Sequence, residues 1–243
     1  MIDIVYPITN LSKYRDDFEL RYSLRSLQQQ NWVRNVYLVG HKPKWTRNVK
    51  HIPCIDPYLS CKDVNIINKI LRACINPELS ETFVVNSDDQ YILKPIDLQD
   101  LEPVLEHPNR LAEFKMRAAM NTWDKRVVDS VLWCSRNGYG DWIFQSHIPY
   151  IVNKEEYVSA MSKIPWGRGN GYTTHIYLNM TVVKHPEKEE KGRTLRIKTR
   201  VNLDEFNKAF NNAIFFNHND SGFIPVVKKA LEDHFPVKSR WEI

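Results

Sequence analysis

Four short apolar runs, set among stretches of helical periodicity, constrain the first hundred residues more than any other feature. The runs are residues 2–6, Val36-Tyr37-Leu38-Val39, a shorter one around Ile52, and Phe83-Val84-Val85. Residues 16–30 place Leu20, Leu24 and Leu27 at i, i+4 and i+7, with Asp16 and Asp17 near the positive end of the helix dipole. Residues 63–74 place Val64, Ile67, Leu71 and Cys74 on one side. Strands alternating with helices predict an α/β fold with a mainly parallel sheet and right-handed crossovers. Such sheets bind ligands beyond the carboxyl ends of their strands.

The second half is less regular. Residues 121–140 carry Trp123 and Trp133 and end in the turn pair Asn137-Gly138. Residues 154–163 read as a helix, and residues 184–200 as an exposed basic loop leading to a strand. Ile214-Phe215-Phe216 reads as a late strand and residues 224–234 as a final helix. No repeat and no low-complexity linker divides the chain. The expectation is one catalytic domain over residues 1–243, with an α/β core in residues 1–100. Residues 101–243 would pack over the open edge of the sheet.

Composition removes several classes. A hydrophobic fraction of 42% and an aromatic fraction of 12% exclude a disordered chain. No apolar run approaches the ~18 residues of a membrane-crossing helix. The first residues read as a strand and not as a signal peptide. The four cysteines form no C-x-x-C pair and no zinc-finger spacing. Reduced thiols in a cytoplasmic protein are the plain expectation. The net charge of +5 is compatible with a polyanionic partner and equally with a solvated basic face.

Chemistry concentrates at a few places. Asn86-Ser87-Asp88-Asp89 directly follows the strand Phe83-Val84-Val85. Adjacent carboxylates at a strand end suit Mg²⁺ or Mn²⁺ bridging the phosphates of a nucleotide-sugar. The alternative is a turn cap beside a solvated carboxylate. Arg21 and Arg25 are four apart on one helical face, able to hold phosphate oxygens or to form plain surface ion pairs. His147, in Ser146-His147-Ile148-Pro149, can take a proton from a hydroxyl near neutral pH. Arg168 lies between two glycines, suiting either an anion contact or a surface loop. Asn217-His218-Asn219-Asp220 ends the late strand with further metal-capable oxygens.

The order of these motifs resembles the Stealth family, which includes bacterial capsule polymerases and the lysosomal-enzyme GlcNAc-1-phosphotransferase. The resemblance is carried by residues 19–27 (ELRYSLRSL), 32–39 (WVRNVYLV) and Pro43-Lys44-Trp45, followed by Ser87-Asp88-Asp89 at a strand end. His147 with Pro149, then Arg168, then residues 215–220 and 235–239 follow in the family's order. The chain departs from the family's opening acidic motif, which is reduced to Tyr6-Pro7-Ile8-Thr9-Asn10. Ser87 stands where the family has Asn, and Asn68 where an acidic residue is usual.

The resemblance implies a GT-A-like core and transfer of a sugar-1-phosphate from a nucleotide-sugar, such as a UDP-sugar, to a hydroxyl acceptor. It implies Asp88 and Asp89 as the Mg²⁺ or Mn²⁺ ligands. Donor contacts would come from Arg21, Arg25, Asn65, Asn68 and Asn219. His147 would be the base, Arg168 a phosphate clamp and Asp220 a further metal- or phosphate-organising group. The altered acidic positions leave two alternatives. One is transfer of the sugar alone, to a glycan or, given the basic run, to a modified DNA base. The other is a binding module without turnover.

Overall fold

The computed structural model of the protein describes residues 1–9, 17–58, 62–106, 122–164, 174–197, 202–219 and 221–243. A five-stranded sheet holds β1 (Ile2–Ile8), β2 (Val33–Gly40), β3 (Lys50–Ile52), β4 (Thr82–Val85) and β6 (Tyr150–Asn153). The strand order is β3-β2-β1-β4-β6. The β1–β2, β2–β3 and β1–β4 pairs are parallel, and only β6 runs antiparallel, on β4. Successive residues of the central strands enter opposite faces. Val5, Phe83 and Val85 pack on one side, and Ile4, Tyr6 and Val84 on the other. Central strands buried on both faces must be apolar throughout, which is why these runs do not alternate with polar residues.

Helix α1 (Phe18–Ser26) covers one face with Leu20 and Leu24, and the C-terminal Trp241 joins it there. The other face carries α2 (Lys62–Cys74), α4 (Lys154–Ser162) and α5 (His175–Thr181) through Ile67, Ile70, Tyr157, Met161 and Tyr177. Asn153 caps α4 by accepting from the Glu156 amide. Helix α3 (Thr122–Arg136) packs against α5.

A second sheet of three strands has the order β5-β8-β7, from β5 (Gln90–Ile92), β7 (Thr194–Ile197) and β8 (Phe215–His218). Phe206 and Phe210 of α6 (Leu203–Asn212) and Val227 and Leu231 of α7 (Pro225–His234) cover it.

The first-half elements follow the apolar pattern, and the mainly parallel sheet is as expected. The second half differs in three ways. Residues 122–136 form a regular helix. The second half contributes β6 to the main sheet itself. It also builds most of a separate small sheet. Among the described residues, no helix is long and apolar enough to cross a membrane. The described cysteines Cys54, Cys74 and Cys134 are free, and burial pushes the Cys74 and Cys134 thiols up to about 12.

Candidate active site

The Asn86–Gln90 turn joins the two sheets, and a buried polar network fixes its shape. Asn86 donates to the Tyr6 hydroxyl at 2.9 Å, which shares a 2.9 Å hydrogen bond with Ser23. Ser23 donates to the carbonyl of Gln90 at 2.7 Å and to that of Ser87 at 3.2 Å. The Ser87 amide donates to the side-chain oxygen of Asn86 at 3.0 Å. Tyr6, Ser23 and Asn86 are all buried. A satisfied network in low dielectric is stiff, because every alternative geometry leaves a polar group unpaired.

This rigid turn presents Asp88 and Asp89, both half-buried. Asn217 at the end of β8 donates to the Asp89 carbonyl at 2.9 Å, tying the turn to the second sheet. Burial raises both carboxyls, and the Asp88 charge adds to the effect on Asp89, which is pushed up to about 7. The paired carboxylates concentrate negative charge at the end of β4, where burial and, for Asp89, the Asp88 charge oppose their ionisation. Their hard oxygen donors fit Mg²⁺ or Mn²⁺. Among the described residues, no group of three or more His, Cys, Asp or Glu side chains is placed to hold a metal.

A cavity of about 110 Å³ opens beside the turn. Ser87, Gln90, Asp63, Trp123 and Ser146 line it together with the apolar Ile66, Ile70, Val85 and Met161. Gln90 donates to the Ser146 carbonyl at 3.2 Å, so the segment carrying His147 is fastened to the aspartate turn. His147 is half-buried, and its ring lies 6.4 Å from that of Trp123. Asp63, which lines the cavity, accepts from Arg126 of α3 at 2.7 Å. Burial raises the Asp63 carboxyl against that partner. On the β1–β2 side, the buried Lys69 ammonium pairs with Asp56, which also accepts from Thr9 at 2.9 Å. The close approach there requires glycine. Gly40 has φ +108°, and a Cβ would stand 2.2 Å from the Ile8 carbonyl oxygen.

The residues expected from sequence divide into three groups. Asp88, Asp89 and the His147 segment come together at the carboxyl end of β4. Arg21 and Arg25 do different work. Arg25 makes a bidentate pair with the buried Glu242 at 2.8 and 2.9 Å and also donates to the Phe235 carbonyl. Arg21 stacks on Trp45 at 4.0 Å and lies 3.5 Å from Glu242. They clasp the C-terminal segment to α1. Asn65 and Asn68 hold the β3–α2 connection, Asn65 by bonds to both the amide and the carbonyl of Tyr58 and Asn68 by donating to the Cys54 sulfur. Asn219 is exposed, and its side-chain oxygen accepts from the Gly222 amide. Arg168 and Asp220 lie outside the described residues.

Sequence reasoning missed Ser23 and Tyr6. Both stand inside or beside the motifs it singled out, but neither is charged. It also missed Arg196 of β7, which was read only as one member of the basic run.

The mainly parallel mixed sheet flanked by helices is a GT-A-like fold. The galactosyltransferase LgtC, solved with donor and acceptor sugar analogues, has this fold: 98% of each chain superimposes with a TM-score of 0.53 at 9% identity. The particular relatives come from sequence. The chain is 29% identical over 137 residues to the capsular polysaccharide phosphotransferases eps5J and CpsJ of Streptococcus thermophilus, covering 51% of this chain. It is 30% identical over 106 residues, 39% of its length, to a capsular polysaccharide phosphotransferase of Neisseria meningitidis serogroup B. The chain spans about half the length of the Streptococcus relatives (55%) and 28% of the Neisseria one. No protein-family profile matches it. The resemblance to the Stealth family is thus shared with curated capsular polysaccharide phosphotransferases.

Proposed function

We propose that this chain is a transferase that moves a sugar-1-phosphate from a nucleotide-sugar, a UDP-sugar in the first instance, to a hydroxyl acceptor. The observation that carries the reading is the Asp88–Asp89 pair, raised on a stiff turn at the carboxyl end of β4 and fastened to the His147 segment. The phosphotransferase relatives favour phosphate transfer over transfer of the sugar alone.

In this reading Asp88 and Asp89 hold Mg²⁺ or Mn²⁺, which supplies positive charge against the donor diphosphate when bound. An imidazole nitrogen of His147 takes the proton of the acceptor hydroxyl. The acceptor oxygen forms a bond to the phosphorus next to the sugar, the diphosphate P–O bond breaks, and the nucleoside monophosphate leaves. Trp123 offers the flat apolar face on which a sugar ring can stack. The chemistry needs little beyond positioning and charge neutralisation, which the fixed turn provides.

The test is to incubate the protein with UDP-sugars, Mg²⁺ or Mn²⁺ and a panel of glycan hydroxyl acceptors, with a DNA acceptor as one arm, and to identify the nucleotide released. UMP is expected. Release of UDP would replace the reading with glycosyl transfer, the activity for which the galactosyltransferase LgtC is named. Tight donor binding without release of either nucleotide across the panel would replace it with a binding module.

A further inference from the structure

We infer that Arg196 is the phosphoryl-binding arginine of this cleft, contacting a non-bridging oxygen of the donor diphosphate. The inference rests on the transferase reading and adds a residue that the sequence motifs did not single out. Strand pairing sets its position. Arg196 lies opposite Asn217 in the parallel β7–β8 ladder, and Asn217 is the residue that pins Asp89. Its chain neighbour Ile197 is buried in the core of the small sheet, so alternation sends Arg196 to the other face.

Two further observations point to a ligand. The Nε–H of Arg196 is shielded from solvent yet has no hydrogen-bond partner among the described residues. A buried guanidinium donor left unpaired is costly, and native structures rarely retain one without a use. The side chain also feels the charges of Glu106, Asp124 and Asp89, which oppose the cost of its burial. These carboxylates come from three different segments. An anion that reaches the aspartates through a shared cation also presents oxygens to this donor. Arginine suits that task because its planar fork binds two oxygens at once.

Arg21 and Arg25 do not compete for this role, since both are engaged with Glu242. Arg193, three residues before Arg196, bonds to the Asp100 carbonyl.

The experiment is calorimetric titration of inorganic pyrophosphate and, separately, of UDP-GlcNAc, each with Mn²⁺, into wild type, Arg196→Ala and Arg196→Lys. Circular dichroism melts accompany each protein. Pyrophosphate affinity should fall by about ten- to hundredfold in Arg196→Ala, the range for losing a hydrogen bond to a charged group. Arg196→Lys should fall in between, because charge remains while the fork is lost. It keeps the test open if the alanine variant does not fold. Equal pyrophosphate binding in wild type and the folded variants would overturn the inference and leave the transferase reading standing. So would absence of pyrophosphate binding by wild type while UDP-GlcNAc binds. Pyrophosphate binding that depends on Arg196, without binding of any UDP-sugar, would sustain the inference and sink the donor assignment.

Discussion

Two charged clusters in this molecule behave as opposites in structure. At the Glu242 clasp, one fully buried carboxylate meets the Arg25 fork, the edge of Arg21, and the amide and hydroxyl of Ser239. Despite the cost of burial, the Arg25 bonds, the Ser239 amide and the Arg25 charge hold the Glu242 carboxyl below its ordinary range. At the Asp88–Asp89 turn, burial and a like charge push the carboxyls up. Matched charge marks a fastening, whereas like charges held together oppose their own ionisation.

The difference predicts opposite responses to pH. Asp89 in the free protein has a folded value above its unfolded one. Its contribution favours folding most fully below pH 4 and is lost as pH rises through about 7. Glu242 has a lowered folded value, so its contribution is present above its unfolded value near 4.5 and is lost as pH falls through the folded one.

The largest effect should come from Asp89→Asn. Transfer should drop about a thousandfold, as expected when a charge-stabilising group is removed. The melting temperature of the free protein at pH 8 should rise, and its decline between pH 4 and 8 should flatten. A nucleotide-release assay and melts across pH check both. Retained turnover would break the comparison at its active end. Glu242→Gln comes next, because it leaves Arg25 uncompensated in a site where that side chain is only 11% exposed. Urea unfolding should show a loss of about 3 kcal/mol. The activity of the remaining folded molecules should match wild type.

Ser23→Ala sharpens the comparison, since Ser23 shares helix α1 with the clasp but serves the turn. It should cost about 1–2 kcal/mol, the scale of leaving buried partners unsatisfied. It should also lower kcat by about tenfold through looser placement of the aspartates. An unchanged kcat would mean that the turn keeps its shape without the network. Arg21→Ala should have the smallest effect, within about 1 kcal/mol for a partly exposed cation stacked on a ring. UDP-sugar binding should be unaltered. A large loss of donor affinity would return Arg21 to the donor site.

Much of the first half was legible from sequence because its signals are local. The leucines of α1, the one-sided apolar residues of α2 and the unbroken apolar runs of β1, β2 and β4 each report their own environment. Helix α3 was hidden despite Val127, Val128, Val131 and Cys134 at helical spacing. Four β-branched residues and two tryptophans blur a helix pattern. Strands β5 and β6 were hidden for another reason. Gln90 pairs with Asn217, and Tyr150 with Val85, so neither strand is defined by its own neighbourhood. At the site, the paired aspartates were visible because charge at a strand end is conspicuous. The roles of Arg21 and Arg25 were not, because spacing fixes a helical face but not what lies opposite it. Glu242 lies 217 residues beyond Arg25.

The Asn86–Gln90 turn has one more consequence, for the order in which activity is gained and lost. Its first residue closes a strand of the main sheet, and its last opens a strand of the small one. The bond that steadies Asp89 spans 128 residues of chain. Such distant pairings are late to form and slow to find. In the proposed reading, a chain with its parallel sheet paired but β8 not yet docked is expected to lack an organised Asp88–Asp89 turn. Heat or denaturant that loosens only the small sheet should silence the protein while most of its helical signal persists. In the proposed reading, the turn ties activity to the folding of both sheets.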